Sequence, residues 1–228
     1  MFKIFERKQS VSASLLEAYK SVTPTALGHI LENGFMDGGL KPIYDHCPVV
    51  GCAVTVKTYG RDSTVCHKVI DLIQPGDVIV IDRGGDQRYA CWGEMTSLAA
   101  KLRHAAGVIV DGPVTDINAM REIGLPVFCR GVVALTTQIL GLGGEINTPI
   151  QCGGVVVHPG DLILADENGI LVIFPSEAEQ VLHKALEEEQ ADRAFKQGLL
   201  EGKLPSQLMP IDEMIQNVLA REGKNYGF

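Results

Sequence analysis

"GVIVDGPVTDIN", Gly107 to Asn118, decides how the rest of the chain is read. Val108, Ile109 and Val110 are consecutive, β-branched and apolar. That is the composition of a strand buried on both faces, as in a parallel sheet covered on two sides. Asp111-Gly112-Pro113 reads as a turn that breaks the chain direction. Asp116 then lies just past the carboxyl end of the strand, the edge where α/β proteins gather their ligands. An acid there is a candidate ligand for a hard cation. Its alternative use is to cap the helix that "INAMREIG" would form.

On either side of this stretch the same units recur. "VVGCAVTVKTY", "GDVIVIDR", "LPVFCRGV", "GGVVVHPGDLILAD" and "GILVIFP" are short, rich in β-branched residues and bounded by Gly, Pro or Asp, so they predict strands. "STVCHKVIDLI", "GEMTSLAAKLRHAAG" and "DINAMREIG" predict helices between them. Residues 1–35 read as helical. "SASLLEAYKS" has apolar spacing near the helical repeat, and "TPTALGHILENG" offers Thr23 as cap, Pro24 at the first helical position and Gly34 as stop. "SEAEQVLHKALEEEQADRAFKQGLLEGK" predicts a long amphipathic helix, with Ser176 and Glu179 as a capping box and Leu182, Leu186, Ala194 and Phe195 along its apolar stripe. Such a helix either folds back on its own sheet or reaches a neighbouring subunit. "KLPSQLMPIDEMIQNVLAREG" reads as a loop and a short last helix.

The bulk properties set outer limits. A chain of 228 residues that is 46% hydrophobic can build a large packed core. The net charge of −8 argues against nucleic acid as a partner, because phosphate binding needs a basic face. "MFKIFERKQS" has no signal-peptide pattern and no apolar run approaches a membrane span, so a cytoplasmic chain is expected, with no membrane partner. Cys47, Cys52, Cys66, Cys91, Cys129 and Cys152 form no C-x-x-C pair and sit in apolar runs, which predicts buried reduced thiols. The six histidines show no H-x-x-x-H spacing, so no zinc site is indicated. G-x-G-x-x-G, the P-loop and G-x-S-x-G are all absent.

Two features carry candidate chemistry. In "VIVIDRGGDQRYACWGEM" a strand ends at Asp82, Gly84-Gly85 permit tight geometry, and a helix starts near Gly93-Glu94. Free N–H groups at a helix start favour a carboxylate or phosphate. Glu94 and Asp116 also follow the ends of successive strands, so their loops can converge on one cleft. Two carboxylates there suit Mg2+ or Mn2+, which prefer hard oxygen ligands.

From "GCAVTVKTYG" through "GLPVFCRG", and again in "CGGVVVHPGDLILADENGILVIFP", the chain resembles the RraA-like proteins. These include class II 4-hydroxy-4-methyl-2-oxoglutarate / 4-carboxy-4-hydroxy-2-oxoadipate aldolases and the regulator of ribonuclease activity A. The ordered set "PGD", "GG…WGE", "VDG…D", "PVF" and "GGV.V.PGD…D..G" carries the resemblance from about Thr23 to about Lys203. It implies an α/β fold, a layered β/β/α "swivelling" domain. It also implies a single RraA-like domain over 1–228, with N-terminal helices 1–35, a core 36–175 and a helical tail 176–228. A homotrimer or homohexamer with the site between neighbours would follow.

In the aldolase branch an acid, then twenty residues, then Arg-Asp form the signature, and Glu94 and Asp116 take the two acid positions. The resemblance implies that Asp116 binds Mg2+ directly. Glu94, and Glu189 from an adjacent subunit, would hold metal-bound waters, while the backbone around Gly93, Met95 and Thr96 receives a keto-acid carboxylate. A divalent ion would then stabilise the pyruvate enolate of a retro-aldol cleavage or an oxaloacetate decarboxylation, as a lyase. A metal-bound water, partnered by Glu94, would shuttle the proton.

Two positions depart from that pattern. The arginine before the aspartate is Thr115, and the acid three residues after it is Ala119. A hydroxyl cannot supply the charge of a guanidinium. Three readings follow: a lyase with an altered substrate or with its cation supplied elsewhere, Arg88 being the nearest candidate; a catalytically weak or inactive binding or regulatory protein; or a demethylmenaquinone methyltransferase, which no S-adenosylmethionine glycine motif supports.

Overall fold

The structure is a computed structural model that describes residues 1–6 and 11–221. In chain order the elements are β1 (Phe2–Ile4), α1 (Ala13–Tyr19), α2 (Pro24–Gly28), β2 (Lys41–Pro42), β3 (Val49–Lys57), α3 (Thr64–Lys68), β4 (Asp77–Asp82), α4 (Glu94–Leu102), β5 (Gly107–Val114), α5 (Ile117–Ile123) and β6 (Val127–Val132). There follow β7 (Gly144–Ile146), β8 (Ile150–Cys152), β9 (Val155–Val157), β10 (Leu162–Ala165), β11 (Ile170–Ile173), α6 (Ala178–Leu200), α7 (Pro205–Leu208) and α8 (Ile211–Arg221). The chain forms two compact units, Met1–Ala185 and Leu186–Phe228.

The first unit is built on a nine-stranded sheet. Its centre is the parallel run β3-β4-β5-β6, as the β-branched sequences predict. Antiparallel β10 and β11 extend one side, and β8 pairs with β9 in a separate hairpin. The period-2 alternation of strand side chains splits each central strand between two cores. Ile79, Ile81, Val108 and Val110 face α3, α4 and α5, where they pack with Val65, Ala100 and Met120. Val78, Val80 and Ile109 face the other way, against Ile150 and Val157 of the β8–β9 hairpin and Ile163 of β10. The mixed α/β layering expected from the sequence is what forms. A third cluster joins Tyr19 and Leu27 of α1 and α2 to β10, β11 and the start of α6.

Several local expectations change. Asp111-Gly112-Pro113 does not turn the chain: β5 continues to Val114, and its pairing with β6 shifts register between Val110 and Pro113. A bulge absorbs the irregular residues without ending the strand. Gly112 is needed there, because a Cβ would lie 2.7 Å from Arg83 Cγ.

The N-terminal stretch is not wholly helical, since Phe2–Ile4 pairs in parallel with β7; residues 7–10 lie outside the described residues. Thr23 does cap α2, its hydroxyl accepting from Ala26 N, but α2 stops at Gly28, six residues before Gly34. α6 starts at Ala178, so Ser176 falls short of the cap position. All six cysteines are buried and unbridged.

In the second unit, α7 and α8 follow α6 after a turn at Gly202. Met214, Ile215 and Val218 line one face of α8 and are exposed in this chain. No helix among the described residues is long and apolar enough to cross a membrane.

Candidate metal and anion site

Parallel strands bring β4 and β5 to the same sheet edge, and the segments that follow them meet there. Thr115 N donates to Trp92 O at 3.0 Å, tying the end of β5 to the residues that open α4. Trp92 is buried, and its indole N–H donates to Ser97 Oγ at 2.8 Å. Gly93 opens α4. A Cβ there would lie 2.6 Å from Asp116 Oδ2 and 2.7 Å from Thr115 Cγ2, so only glycine lets the two loops approach.

Asp116 lies between β5 and α5. It precedes α5 with φ 54° and ψ 38°, a left-handed conformation that is uncommon outside glycine. Its side chain does not cap α5, although its carbonyl accepts from Met120 N at 3.0 Å. The capping role is therefore ruled out. Instead the carboxylate turns toward α4: Oδ2 accepts from Glu94 N at 3.2 Å, and Oδ1 accepts from the Thr115 hydroxyl at 3.3 Å. Both contacts are long, and Asp116 is exposed. Backbone strain of this kind, with a carboxylate left lightly engaged, is a mark of functional sites.

The cleft so formed has a volume of about 170 Å3. Gly93, Glu94, Met95 and Thr96 form its α4 side, with Thr115 and Asp116 beside them. Of the residues expected from the sequence, these six come together. The Thr96 hydroxyl accepts from Gly93 N at 3.0 Å and fixes the first turn. An α-helix leaves the N–H groups of that turn without intrahelical acceptors, and its dipole favours an anion there.

Arg88 does not line the cleft. It is exposed and lies 5.5 Å over the Tyr89 ring, because Asp86 Oδ1 takes its backbone N–H and turns the loop outward. Glu189 lies on α6, in the second unit. No lysine or arginine lines the cleft among the described residues.

The opposite wall was invisible to sequence reasoning. It consists of Ser63, His67, Thr136 and Thr137, with Cys91 on the floor. His67 Nδ1 lies 3.0 Å from Ser63 O, which favours the tautomer with the proton on Nδ1. Thr136 pairs with Ala90 in an isolated bridge, and Thr137 N donates to Ala90 O at 3.0 Å.

Asp62 anchors the chain on either side of this wall. Its buried carboxylate accepts from Thr64 N, Thr64 Oγ1, Leu140 N, Leu142 N and Gly143 N. Burial alone would raise its pKa, but these donors hold the carboxyl well below the usual carboxylate range. The neighbouring Cys91 sulfur and burial push the Cys66 thiol well above the usual thiol range. The one signal for this wall is the run of small and hydroxylated residues around "LTTQ", which no short-range pattern ties to Asp62.

The fold and the cleft define a class of proteins. Residues 13–172 match the RraA-like family, described as Aldolase/RraA, and the chain belongs to it. A protein of Halalkalibacterium halodurans named "Putative 4-hydroxy-4-methyl-2-oxoglutarate aldolase" is 39% identical over 160 residues, covering 70% of this chain and 76% of that protein. An uncharacterized protein of Methanocaldococcus jannaschii is 33% identical over 168 residues, covering 72% and 80%. The crystal structure of RraAS2 from Streptomyces coelicolor, titled an unusual member of the RNase ES inhibitor RraA protein family, superposes with a TM-score of 0.74 at 25% identity, covering 82% of this chain and 98% of that one. An uncharacterized Pseudomonas syringae protein superposes with a TM-score of 0.79 at 24% identity, covering 90% and 96%, and shows the shared fold.

Proposed function

We propose that this cleft binds Mg2+ or Mn2+ together with a 2-oxo acid, and that the protein is a lyase of the class II pyruvate aldolase type. The reaction is cleavage of a 4-hydroxy-2-oxo diacid, decarboxylation of oxaloacetate, or both, with Thr115 in place of the family arginine altering which substrate is taken. The observation that carries this reading is the Asp116 carboxylate: strained in backbone, not used as a cap, and turned toward the open end of α4. Its hard oxygen donors fit the ions, and Gly93 leaves the room beside it that a Cβ would fill.

A divalent cation at Asp116 would supply Lewis-acid stabilisation of the charge that builds on the keto oxygen as the C–C bond breaks. Everything else falls to the chain. The first-turn amides at Met95 and Thr96 receive the substrate carboxylate and orient it. Glu94 is half-buried beside Asp116 and is the group placed to move a proton at the cleaved carbon, through one water. Glu189 contributes from an adjacent subunit of a homotrimer or homohexamer. Thr115 takes the place where a cation would clamp a second anionic group.

The test couples pyruvate release to lactate dehydrogenase, with Mn2+ or Mg2+ and either oxaloacetate or a 4-hydroxy-2-oxo acid. Metal-dependent pyruvate that disappears in Asp116→Asn is the expected result. The second reading is a binding or regulatory protein with little or no catalysis, and the absence of a lining cation favours it. No turnover of any 2-oxo acid by metal-saturated protein would select that reading.

A further inference from the structure

We propose that Arg61 receives the second carboxylate of a dicarboxylic 2-oxo acid and so sets a preference for diacids; this deepens the 2-oxo-acid reading above and rests on it. With a divalent ion at Asp116 and one substrate carboxylate on the first-turn amides of α4, a diacid has one more anionic group to place. Thr115 brings no charge to it. The cation that can meet it stands at the edge of the wall formed by Ser63 and Thr137.

Arg61 belongs to that wall by its backbone. Gln138 N donates to Arg61 O at 2.8 Å and Ser63 N donates to Gln138 O at 2.9 Å, around the bridge between Asp62 and Gln138. Ser63 and Thr137, the next residues along the two segments, line the cleft. The side chain follows the wall as well. Nη2 lies 3.4 Å from Gln138 Oε1, and the guanidinium carbon lies 5.8 Å over the Tyr89 ring. Tyr89 directly precedes Ala90 and Cys91, which line the cleft.

The charge of Arg61 is not committed. The residue is exposed, its side-chain hydrogen bond is long and goes to a neutral amide, and no carboxylate pairs with it among the described residues. Arg130 shows the contrast, gripped by Asp37 and Asp111 at 2.7 and 2.6 Å. A guanidinium resting over an aromatic ring keeps N–H donors free, and their fork matches a carboxylate.

Arg83 builds the platform under it. Its side chain is buried, and Nη2 donates to Gly60 O at 2.8 Å and Tyr89 O at 3.2 Å. It therefore ties the residue before Arg61 to the residue whose ring Arg61 overlies. The same nitrogen meets Asp86 Oδ2 at 3.0 Å, while Nε and Nη1 have no partner. Arg61, Arg83 and Arg88 outnumber Asp62 and Asp86 here, which gives this side of the cleft a positive field in a chain of net charge −8. Arg88 lies 5.5 Å over the same ring, but Asp86 takes its backbone N–H and no hydrogen bond ties its guanidinium to the wall among the described residues. It is the natural control.

Two ligands of equal chain length isolate the second carboxylate: 2-oxoglutarate, which has it, and 2-oxopentanoate, which ends in a methyl group. Neither has the hydroxyl or the β-carboxylate that C–C cleavage requires, so calorimetric titration into Mn2+-saturated protein reads binding alone. 2-Oxoglutarate is expected to bind about tenfold tighter, the effect of one charge-assisted hydrogen-bonded pair. Arg61→Gln should bring the two affinities within about threefold of each other and leave that of 2-oxopentanoate unchanged. Arg61→Lys, which keeps the charge, should retain part of the preference, and Arg88→Gln nearly all of it.

Equal binding of the two acids by the unaltered protein overturns the proposal, as does binding of neither. So does a preference for 2-oxoglutarate that survives in Arg61→Gln, or one that Arg88→Gln removes instead. Failure of the underlying reading shows separately, as Mn2+ uptake that is absent or that survives in Asp116→Asn, and it takes this proposal with it.

Discussion

Asp62 and Asp116 are the same residue type in two loops that border one cleft, and they differ in almost everything else. Asp62 is 3% exposed and accepts from five donors, three of them backbone amides of the 140–143 segment. Asp116 is exposed, sits in a left-handed backbone conformation and has two contacts longer than 3.1 Å. A carboxylate with every lone pair engaged is part of the scaffold. One held in place by few, weak contacts is available to a ligand. The difference teaches that position at a strand end is not enough to identify a functional acid; how fully the acid is already hydrogen-bonded decides.

Substitutions can break that contrast. The largest effect is expected for Asp116→Asn, which keeps the size and the left-handed tolerance of the residue but removes its charge. Metal-dependent turnover should fall by on the order of 10²–10³ while the melting temperature stays nearly constant. A large loss of stability in this variant would put Asp116 in the same class as Asp62.

Asp62→Ala should do the reverse. It strands buried amides of the 140–143 segment and should cost about 2–4 kcal/mol in urea unfolding. Mn2+ affinity measured on the folded protein should change little, because Asp62 does not line the cleft.

Gly93→Ala tests the seam between α4 and Asp116. Its Cβ would collide with Asp116 Oδ2 and Thr115 Cγ2, so about 1–3 kcal/mol of destabilisation is expected, together with weakened Mn2+ uptake. Unchanged metal binding would mean that the carboxylate can sit elsewhere and still function.

The smallest effect is a pH dependence. The folded-state pKa of Asp62 is depressed, so its contribution is full above the ordinary carboxylate value of 3.8 and is lost as pH falls through the lowered one. The stability gap between the unaltered protein and Asp62→Asn should therefore be widest above pH 3.8 and narrow below it. A gap that widens toward acid would contradict the sign.

Much of the fold was legible because it rests on local composition. Val108 to Val110, Val78 to Ile81 and Leu162 to Leu164 are β-branched or aliphatic runs that only a doubly covered strand accommodates. The short strands were not legible. Phe2–Ile4 exists because it pairs with Gly144–Ile146, and Gly144–Ile146 because it also pairs with the end of β3, not because three residues prefer the extended state. The site divides the same way. Gly93, Glu94, Thr115 and Asp116 follow strand ends and could be paired from the strand order alone. Ser63, His67, Thr136 and Thr137 reach the cleft through hydrogen bonds of long sequence separation, such as Leu142 N to Asp62 Oδ2.

The sequence by itself determined the alternation of strand and helix, the parallel core and the two acids at its carboxyl edge, because hydrophobic period and strand-end placement are local properties of the chain. Only the tertiary structure decided that Asp111-Gly112-Pro113 is a bulge, that Asp116 is no cap, and that Ser63, His67, Thr136 and Thr137 line the same cleft. Each of those depends on which distant group fills the neighbouring space or takes the available hydrogen, and neighbouring residues in the chain do not specify that.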